Sequence, residues 1–469
     1  MSVSIRIADV VRWTGGSLVA GDAARTCRSV GIDSRRIAPE QLFVAIRGPR
    51  HDAHAFLSDA AAAGAAGLLV ESGAAIPDDV RARCAVVAVP DTTRALAALA
   101  AGHRATWDGP IVAITGSNGK TTNKEMCAAI LSVRAPCLAT EGNLNNHYGV
   151  PLTLLRLEPA HRAAVVEIGM NHAGEIAPLA AIARPSVALI TNVGTAHIEN
   201  LGSQDAIAAE KGALFEALAE NGVAVANADD ARVVAQLART KAQPLRFGLG
   251  AGADVRAESI RSLGASGCAF DLVTPHGRAP ARVAGIGRIP VINALGAAAA
   301  ALAAGACLED AVTGLASYRP PAGRLEPLAL PGDGVLLDDT YNANPQSMEV
   351  ALRSLAGQKG TRRGIAVLGD MGELGATAPA AHRGAGRLAA QLGLDFVFAL
   401  GAHAGEVVTG AIEGGLAQGR AIEARDHDDL AARVRETLRD GDWVLVKGSR
   451  SMQMERIVAA LGCTSESVH

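Results

Sequence analysis

A chain of 469 residues is long enough for about three domains of ordinary size, each with its own core. Its formal net charge of −3 carries no polyanion-binding signal, so nothing points to nucleic acid as a partner. The seven cysteines (Cys27, Cys84, Cys127, Cys137, Cys268, Cys307 and Cys463) form no Cys-x-x-Cys pair, which favours free thiols in a reducing cytoplasm over a disulfide framework or zinc site, and no segment reads as a signal peptide or membrane span.

The first hundred or so residues predict a small α/β unit. Short strands are expected at 30–35 and 41–48, a helix at 53–64, strands at 67–70 and 85–89, and a helix from Thr92 to Ala105. Asp33, Ser34, Arg35, Arg47, Asp52 and His54 fall at strand ends, where they suit a sugar, uracil or diphosphate; spacing alone equally fits ordinary turn chemistry. Trp107-Asp108-Gly109-Pro110 then reads as a boundary.

Immediately after it, Ile111-Val-Ala-Ile-Thr115 runs into Gly116-Ser117-Asn118-Gly119-Lys120-Thr121-Thr122. A buried strand opening through glycines onto a helix start is phosphate-binding geometry: backbone N–H groups approach the oxygens, the helix N-terminus adds its positive end, Lys120 supplies a charge and Thr121 a hydroxyl for Mg²⁺. The loop is shorter than the common form, with Ile114 where a further glycine usually stands. Positive charge elsewhere is carried almost wholly by arginine, so the few lysines set inside motifs (Lys120, Lys211 and Lys447) stand out.

The middle of the chain alternates strand and helix, as in a mostly parallel sheet covered on both faces, with further strands at 164–168, 187–191 and 223–226. Polar residues collect at their carboxyl ends, where such folds place their chemistry: Glu167, then Thr191 to His197, then Asn227, Asp229 and Asp230. The loop from Glu141 to Pro151 is rich in amides, including Asn145 and Asn146. Glu167, His197 and Thr121 together suit Mg²⁺. Lys211 lies in a helical stretch, 204–218, and from that segment alone reads as a surface charge. Residues 245–286 show short β-like pieces, and an alanine-rich helix is expected to begin at Asn293. Pro320-Pro321 marks a second boundary, after which strands at 335–339, 365–368 and 443–446 each end in a polar loop and predict another doubly wound sheet.

The loop Thr115–Thr122, Asn145-Asn146 with Gly149-Val150-Pro151, Glu167-Ile168-Gly169-Met170, Thr191 to His197 and the Lys211 helix together resemble the ATP-dependent Mur ligases of bacterial cell-wall synthesis. The resemblance covers essentially the whole chain. Within the family, Asp33-Ser34-Arg35, Asp338 to Pro345, Gly369-Asp370-Met371 and Lys447 to Met452 are similar to the members that add D-alanyl-D-alanine. Three α/β domains are then implied: a small N-terminal domain (1–107) holding a uridine nucleotide, a central P-loop ATPase domain with a mostly parallel sheet (108–318), and a Rossmann-like C-terminal domain (319–469) for the dipeptide. The implied substrates are UDP-N-acetylmuramoyl-tripeptide, D-alanyl-D-alanine and ATP with Mg²⁺, on an expected monomer.

By motif match, Lys120, His197 and Lys211 would be catalytic. Gly116 to Thr122, Asn293, Arg324 and Asp339 would hold ATP, and Thr121, Glu167, His197 and a carbamylated Lys211 would hold the metal. Ser34, Arg35, Arg47, Asn145, Asn146, Tyr341, Asn342 and Asn344 would contact the other substrates. Two departures stand out: similar enzymes usually carry His-Asn where this chain has Ile289-Pro290, and a Pro-Gly turn where it has Pro39-Glu40. A folylpolyglutamate synthase-like ligase, a diaminopimelate-adding ligase and a non-catalytic nucleotide-binding regulator are the alternatives. The first typically has its nucleotide loop near the N-terminus, the second carries an Asp-Asn-Pro-Arg motif absent here, and the third has no need of Lys120, Glu167, His197 and Lys211 together.

Overall fold

A computed structural model describes residues 3–463. Runs of small and β-branched residues build three sheets with helices on their faces. In the N-terminal sheet, Ser29–Gly31, Gln41–Val44, Gly67–Glu71 and Ala85–Val89 are parallel neighbours, and Ser17–Ala20 closes one edge antiparallel to Ala85–Val89. Beside it, Ile5–Arg6 pairs with Thr26–Cys27. The turn that departs from Pro-Gly keeps a glycine-like backbone, since Glu40 takes φ 61°.

The central sheet has nine strands. Cys137–Ala139, Ala163–Glu167, Ile111–Thr115, Val187–Ile190, Val223–Asn227, Gln243–Gly248 and Val255–Ser262 lie parallel in that order. Ile111–Thr115 and Val187–Ile190 are buried at every position, as strands covered on both faces must be. The β-like pieces after residue 245 extend this sheet, ending in the antiparallel strands Cys268–Thr274 and Gly277–Val283. Register brings Glu167 beside Ile114, and Ile190 beside Thr115, so three strand ends share one rim. From Ile111–Thr115 the chain first moves to one side and later returns on the other, which makes the gap beside Val187–Ile190 a switch point where ligands bind.

The C-terminal sheet runs Glu326–Leu330, Gly334–Asp339, Trp443–Lys447, Gly364–Gly369, Phe396–Leu400, Ala421–Glu423, parallel apart from the first strand. Asp339 and Lys447 are partners at its rim.

The helix Thr92–Arg104 packs on the helix Ile7–Thr14 and also on Gly149–Leu154 and Ile176–Ala183. One apolar cluster therefore runs from Ile7, Leu96 and Leu99 into Ile168, Ile176 and Leu179, tying the N-terminal sheet to the central one. The C-terminal sheet has its own clusters, which Ile286 joins from the central chain. Among the described residues no helix is long and apolar enough to cross a membrane.

Candidate active site

The helix Lys120–Leu131 starts from Gly119, whose φ of 80° favours glycine. Space demands glycine as well: a Cβ on Gly119 would lie 2.6 Å from Asn293 Oδ1, and one on Gly116 1.8 Å from Thr191 Oγ1. Neighbouring polar groups brace the loop. Thr191 Oγ1 donates to the Asn118 carbonyl (2.6 Å), the Asn192 side chain accepts from Asn118 N–H (2.9 Å) and donates to Asn118 O (3.0 Å), and Ser117 Oγ accepts from Gly194 N–H (2.8 Å). Behind these, Asn227 Nδ2 donates to Thr191 O and Asp230 accepts from Val193 N–H. Asp229 instead accepts from Leu249 and Gly250 N–H. The polar residues ending the 223–227 strand are thus scaffold for the site.

At the loop's far side, Thr121 Oγ1 donates to Glu167 Oε2 (2.8 Å) and Asn145 Nδ2 donates to Glu167 Oε1 (2.8 Å). Asn145 therefore fixes the carboxylate, whereas Asn146 Oδ1 accepts from the backbone of Tyr148 and Gly149 and shapes its own loop. Lys120 Nζ folds onto Gly116 O (2.7 Å); burial lowers its pKa against the opposing pull of Glu167. Lys211 is 1% exposed, correcting the surface reading of its helix. Its pKa is pushed well below 10.5 by burial, with the Lys120 cation adding to the effect and Glu210 opposing it. Burial also lowers the pKa of His197, opposed by Glu373 and reinforced by Lys120 and Lys211. His197 Nδ1 lies 2.8 Å from Glu373 Oε2 without hydrogen-bond alignment, and both residues hold left-handed backbones (φ 63° and 59°).

The C-terminal unit reaches this rim at several points. Arg324 Nη2 donates to Thr121 Oγ1 (3.0 Å) and its guanidinium stacks 4.1 Å from the Tyr341 ring centroid. Lys447, 2% exposed, donates to Asp339 Oδ2 (2.6 Å) and Asn342 O (2.8 Å), holding the loop after Gly334–Asp339 in place. Asn344 caps the helix Pro345–Lys359 by accepting from Ser347 N–H, and donates through Nδ2 to Asn118 Oδ1 (3.0 Å). Gln346 Oε1 accepts from Asn118 Nδ2 (2.9 Å). Asn344 therefore meets the nucleotide loop with both polar atoms already engaged.

These groups line a cleft of about 480 Å³ between the central and C-terminal sheets. Ser117 to Thr122, Asn145, Asn146, Glu167, His197, Asn293, Arg324, Asp339, Tyr341, Asn342 and Asn344 all face it. Gly116 lies beneath, and Ser34, Arg35 and Arg47 belong to the N-terminal sheet, away from the cleft. There Arg35 pairs with Asp33 (2.8 Å), holding that carboxyl at about 2, and Arg47 pairs with Asp52 and Glu71. Of the apolar end of the cleft, lined by Met126, Phe247, Ile289, Pro290, Ile292 and Tyr318, motif reading singled out only Ile289-Pro290. The expected alanine-rich helix begins earlier, spanning Arg288–Ala303, which brings Ile289-Pro290 into its first turn, where proline is tolerated. Its buried Ala297–Ala301 run packs it closely on the helix Lys120–Leu131.

Comparison with known proteins agrees with this geometry. Residues 26–104 match the Mur ligase family catalytic domain, 114–301 the Mur ligase middle domain and 323–450 the Mur ligase glutamate ligase domain. The chain is 39% identical to the UDP-N-acetylmuramoyl-tripeptide–D-alanyl-D-alanine ligase of Escherichia coli (strain K12), over 98% of each. Among solved structures, MurF from Acinetobacter baumannii superposes with a TM-score of 0.88 at 34% identity, covering 98% of this chain and 99% of that one. The MurF ligase of Thermotoga maritima in complex with ADP does so with a TM-score of 0.81 at 26% identity, covering 92% and 96%. The cleft, the braced glycine loop and the full-length likeness place this chain in the Mur ligase family.

Proposed function

We propose that the protein joins D-alanyl-D-alanine to UDP-N-acetylmuramoyl-tripeptide at the expense of ATP, as a cytoplasmic monomer making peptidoglycan precursor. The observation that carries this is the cleft itself, in which a phosphate loop and a carboxylate–hydroxyl pair face a rim of asparagines from a second α/β unit; the full-length likeness to the Escherichia coli ligase supplies the substrates. The three units correspond to residues 1–107 for the uridine end, 108–318 for ATP and 319–469 for the dipeptide, and Ser34, Arg35 and Arg47 are assigned to the first of these.

A carboxylate and an amine do not condense in water, because the carboxylate is a poor electrophile. Transfer of the γ-phosphoryl to the tripeptide carboxylate gives an acyl phosphate, whose carbonyl the dipeptide amine then attacks, expelling phosphate. The Gly116–Gly119 backbone and the helix start cradle the phosphates, and Lys120 turns from the Gly116 carbonyl onto the transferring group. Asn293 and the apolar end of the cleft take the base, with Asp339 on the ribose side. Thr121 Oγ1 and Glu167, 2.8 Å apart, are hard oxygen donors that fit Mg²⁺, an ion that draws its remaining ligands from phosphate and water. This matches the absence, among the described residues, of any cluster of three His, Cys, Asp or Glu side chains able to cage a metal. When bound, Mg²⁺ neutralises charge on the phosphoryl oxygens. His197 completes that side. Burial disfavours the ammonium form of Lys211, and its amine, once deprotonated, would attack CO₂, lose a further proton and become a carbamate anion able to serve as a further oxygen ligand.

Phosphate release measured with each substrate omitted in turn is the direct test. Full release is expected only with UDP-muramoyl-tripeptide, D-alanyl-D-alanine and ATP together; release supported by a folate or a single amino acid in their place would refute the assignment.

A further inference from the structure

We infer that Gln346, with Asn344, is a positioning residue that couples closure of the dipeptide-binding unit to phosphoryl transfer by clasping Asn118 of the nucleotide loop. This rests on the ligase reading above and assigns a role to a residue with no place in the phosphate, metal or dipeptide machinery.

Every polar group of Asn118 is engaged, backbone and side chain alike. Its N–H donates to Asn192 and its carbonyl accepts from Thr191 and Asn192, so its backbone belongs to the central unit. Its side chain belongs to the other: Nδ2 donates to Gln346 Oε1 at 2.9 Å and Oδ1 accepts from Asn344 Nδ2 at 3.0 Å. One asparagine at the crown of the loop thus reads both units, and an amide with one donor and one acceptor satisfied by two successive polar positions is matched only when the helix Pro345–Lys359 is seated in one place. Shape enforces the same seating. A Cβ on Gly194 would fall 2.0 Å from Gln346 Oε1 and 3.2 Å from Ser117 Cβ, so the Gln346 side chain fills the space that the absent side chain at 194 leaves beside the loop.

The consequence lies in the fate of the acyl phosphate. In the productive route the amine nitrogen forms a bond to the acyl carbon, the bond to phosphate breaks, and the amine gives up a proton. In the leak, a water oxygen forms that bond, the same phosphate leaves, a proton is released, and the tripeptide carboxylate is regenerated with ATP spent. Both release phosphate; only the first makes amide. A clasp that seats the dipeptide unit against the loop before phosphoryl transfer suppresses the leak, because amine is in place and water excluded when the intermediate forms.

Gln346 is exposed and its removal spares the helix cap, so Gln346→Ala folds. Phosphate and amide product are quantified together at saturating ATP, UDP-muramoyl-tripeptide and D-alanyl-D-alanine. The wild-type ratio of phosphate to amide is expected at about one and that of Gln346→Ala at about two or more. Asn118→Ala, which also loses the Asn344 contact, should raise the ratio at least as far, and the double variant should go no higher than Asn118→Ala, since the contact removed by Gln346→Ala is then already gone. A wild type making no amide would sink the ligase reading; a wild type at one with Gln346→Ala also at one, or ratios that multiply in the double variant, would overturn the clasp alone.

Discussion

Lys211 shows how far burial changes what a side chain can do. A lysine at 1% exposure carries its charge in a poor dielectric, which favours giving up the proton, and the Lys120 cation pushes the same way. Once deprotonated, such an amine adds nothing to charge neutralisation, whereas its carbamate would add an anion for the metal. Lys211→Ala is therefore expected to lose roughly 100-fold or more in kcat, the size seen when one transition-state contact is removed. Acetate or another small carboxylate should restore part of the loss, and methylamine none. Rescue by the amine, or no loss at all, would return Lys211 to a packing role. Nothing in the helix Gln204–Glu216 alone reveals this, because Asp205, Glu210 and Glu216 make it look solvated while the burial that depresses Lys211, and the Lys120 cation that adds to it, come from elsewhere in the chain. The glycine loop was legible because its chemistry is contiguous: strand, glycines, lysine and hydroxyls follow one another in the sequence.

At the scale of elements, strands buried on both faces were legible from their unbroken apolar runs, and the rim residues followed from strand ends. Partner choice was not. Asn344 read as a dipeptide contact, yet one side-chain atom caps a helix and the other meets Asn118, a pairing across more than two hundred positions that no local pattern encodes. A much shorter tie holds the loop carrying Glu373. His382, on the helix Ala378–Gln391, accepts from Met371 N–H through Nε2 (2.8 Å) and faces the Ala378 carbonyl through Nδ1 (2.7 Å), so it must be neutral with its proton on Nδ1. Burial lowers its pKa from 6.5, and of the charged or titratable groups around it Asp370 and Glu406 oppose the shift while His403 adds to it. With the folded value below the unfolded one, the unfolded chain binds the proton first. Stability from this site is complete above about pH 6.5 and falls as pH drops through that value, levelling off at the folded pKa. The urea midpoint should accordingly fall less between pH 7 and pH 5.5 in His382→Gln, whose amide oxygen can still accept from Met371 N–H, than in the wild type; equal slopes would remove His382 from the pH response.

Across the whole molecule, the two boundaries between units are built from different materials. Between the N-terminal and central sheets runs continuous apolar packing through Leu96, Leu99, Ile176 and Leu179, which resists separation because parting it exposes that surface to water. Between the central and C-terminal sheets the contacts are mostly side-chain hydrogen bonds, Arg324 to Thr121 and Asn118 to Asn344 and Gln346, with Glu373 beside His197 and Ile286 as the apolar exception. Each such bond is worth about 1 kcal/mol net, since water replaces it on opening. The second boundary is therefore the one expected to open for substrates, pivoting at Arg319 to Gly323, where two prolines precede a glycine with φ 73°. Hydrogen exchange distinguishes the two. Adding a non-hydrolysable ATP analogue with UDP-muramoyl-tripeptide should slow exchange by about tenfold in the Gly372–Gly375 loop and the first turn of Pro345–Lys359, and leave the helix Thr92–Arg104 unchanged. Equal protection at both boundaries would mean that the molecule closes as a whole, and a change confined to Thr92–Arg104 would place the moving joint at the N-terminal unit, against the packing that holds it there.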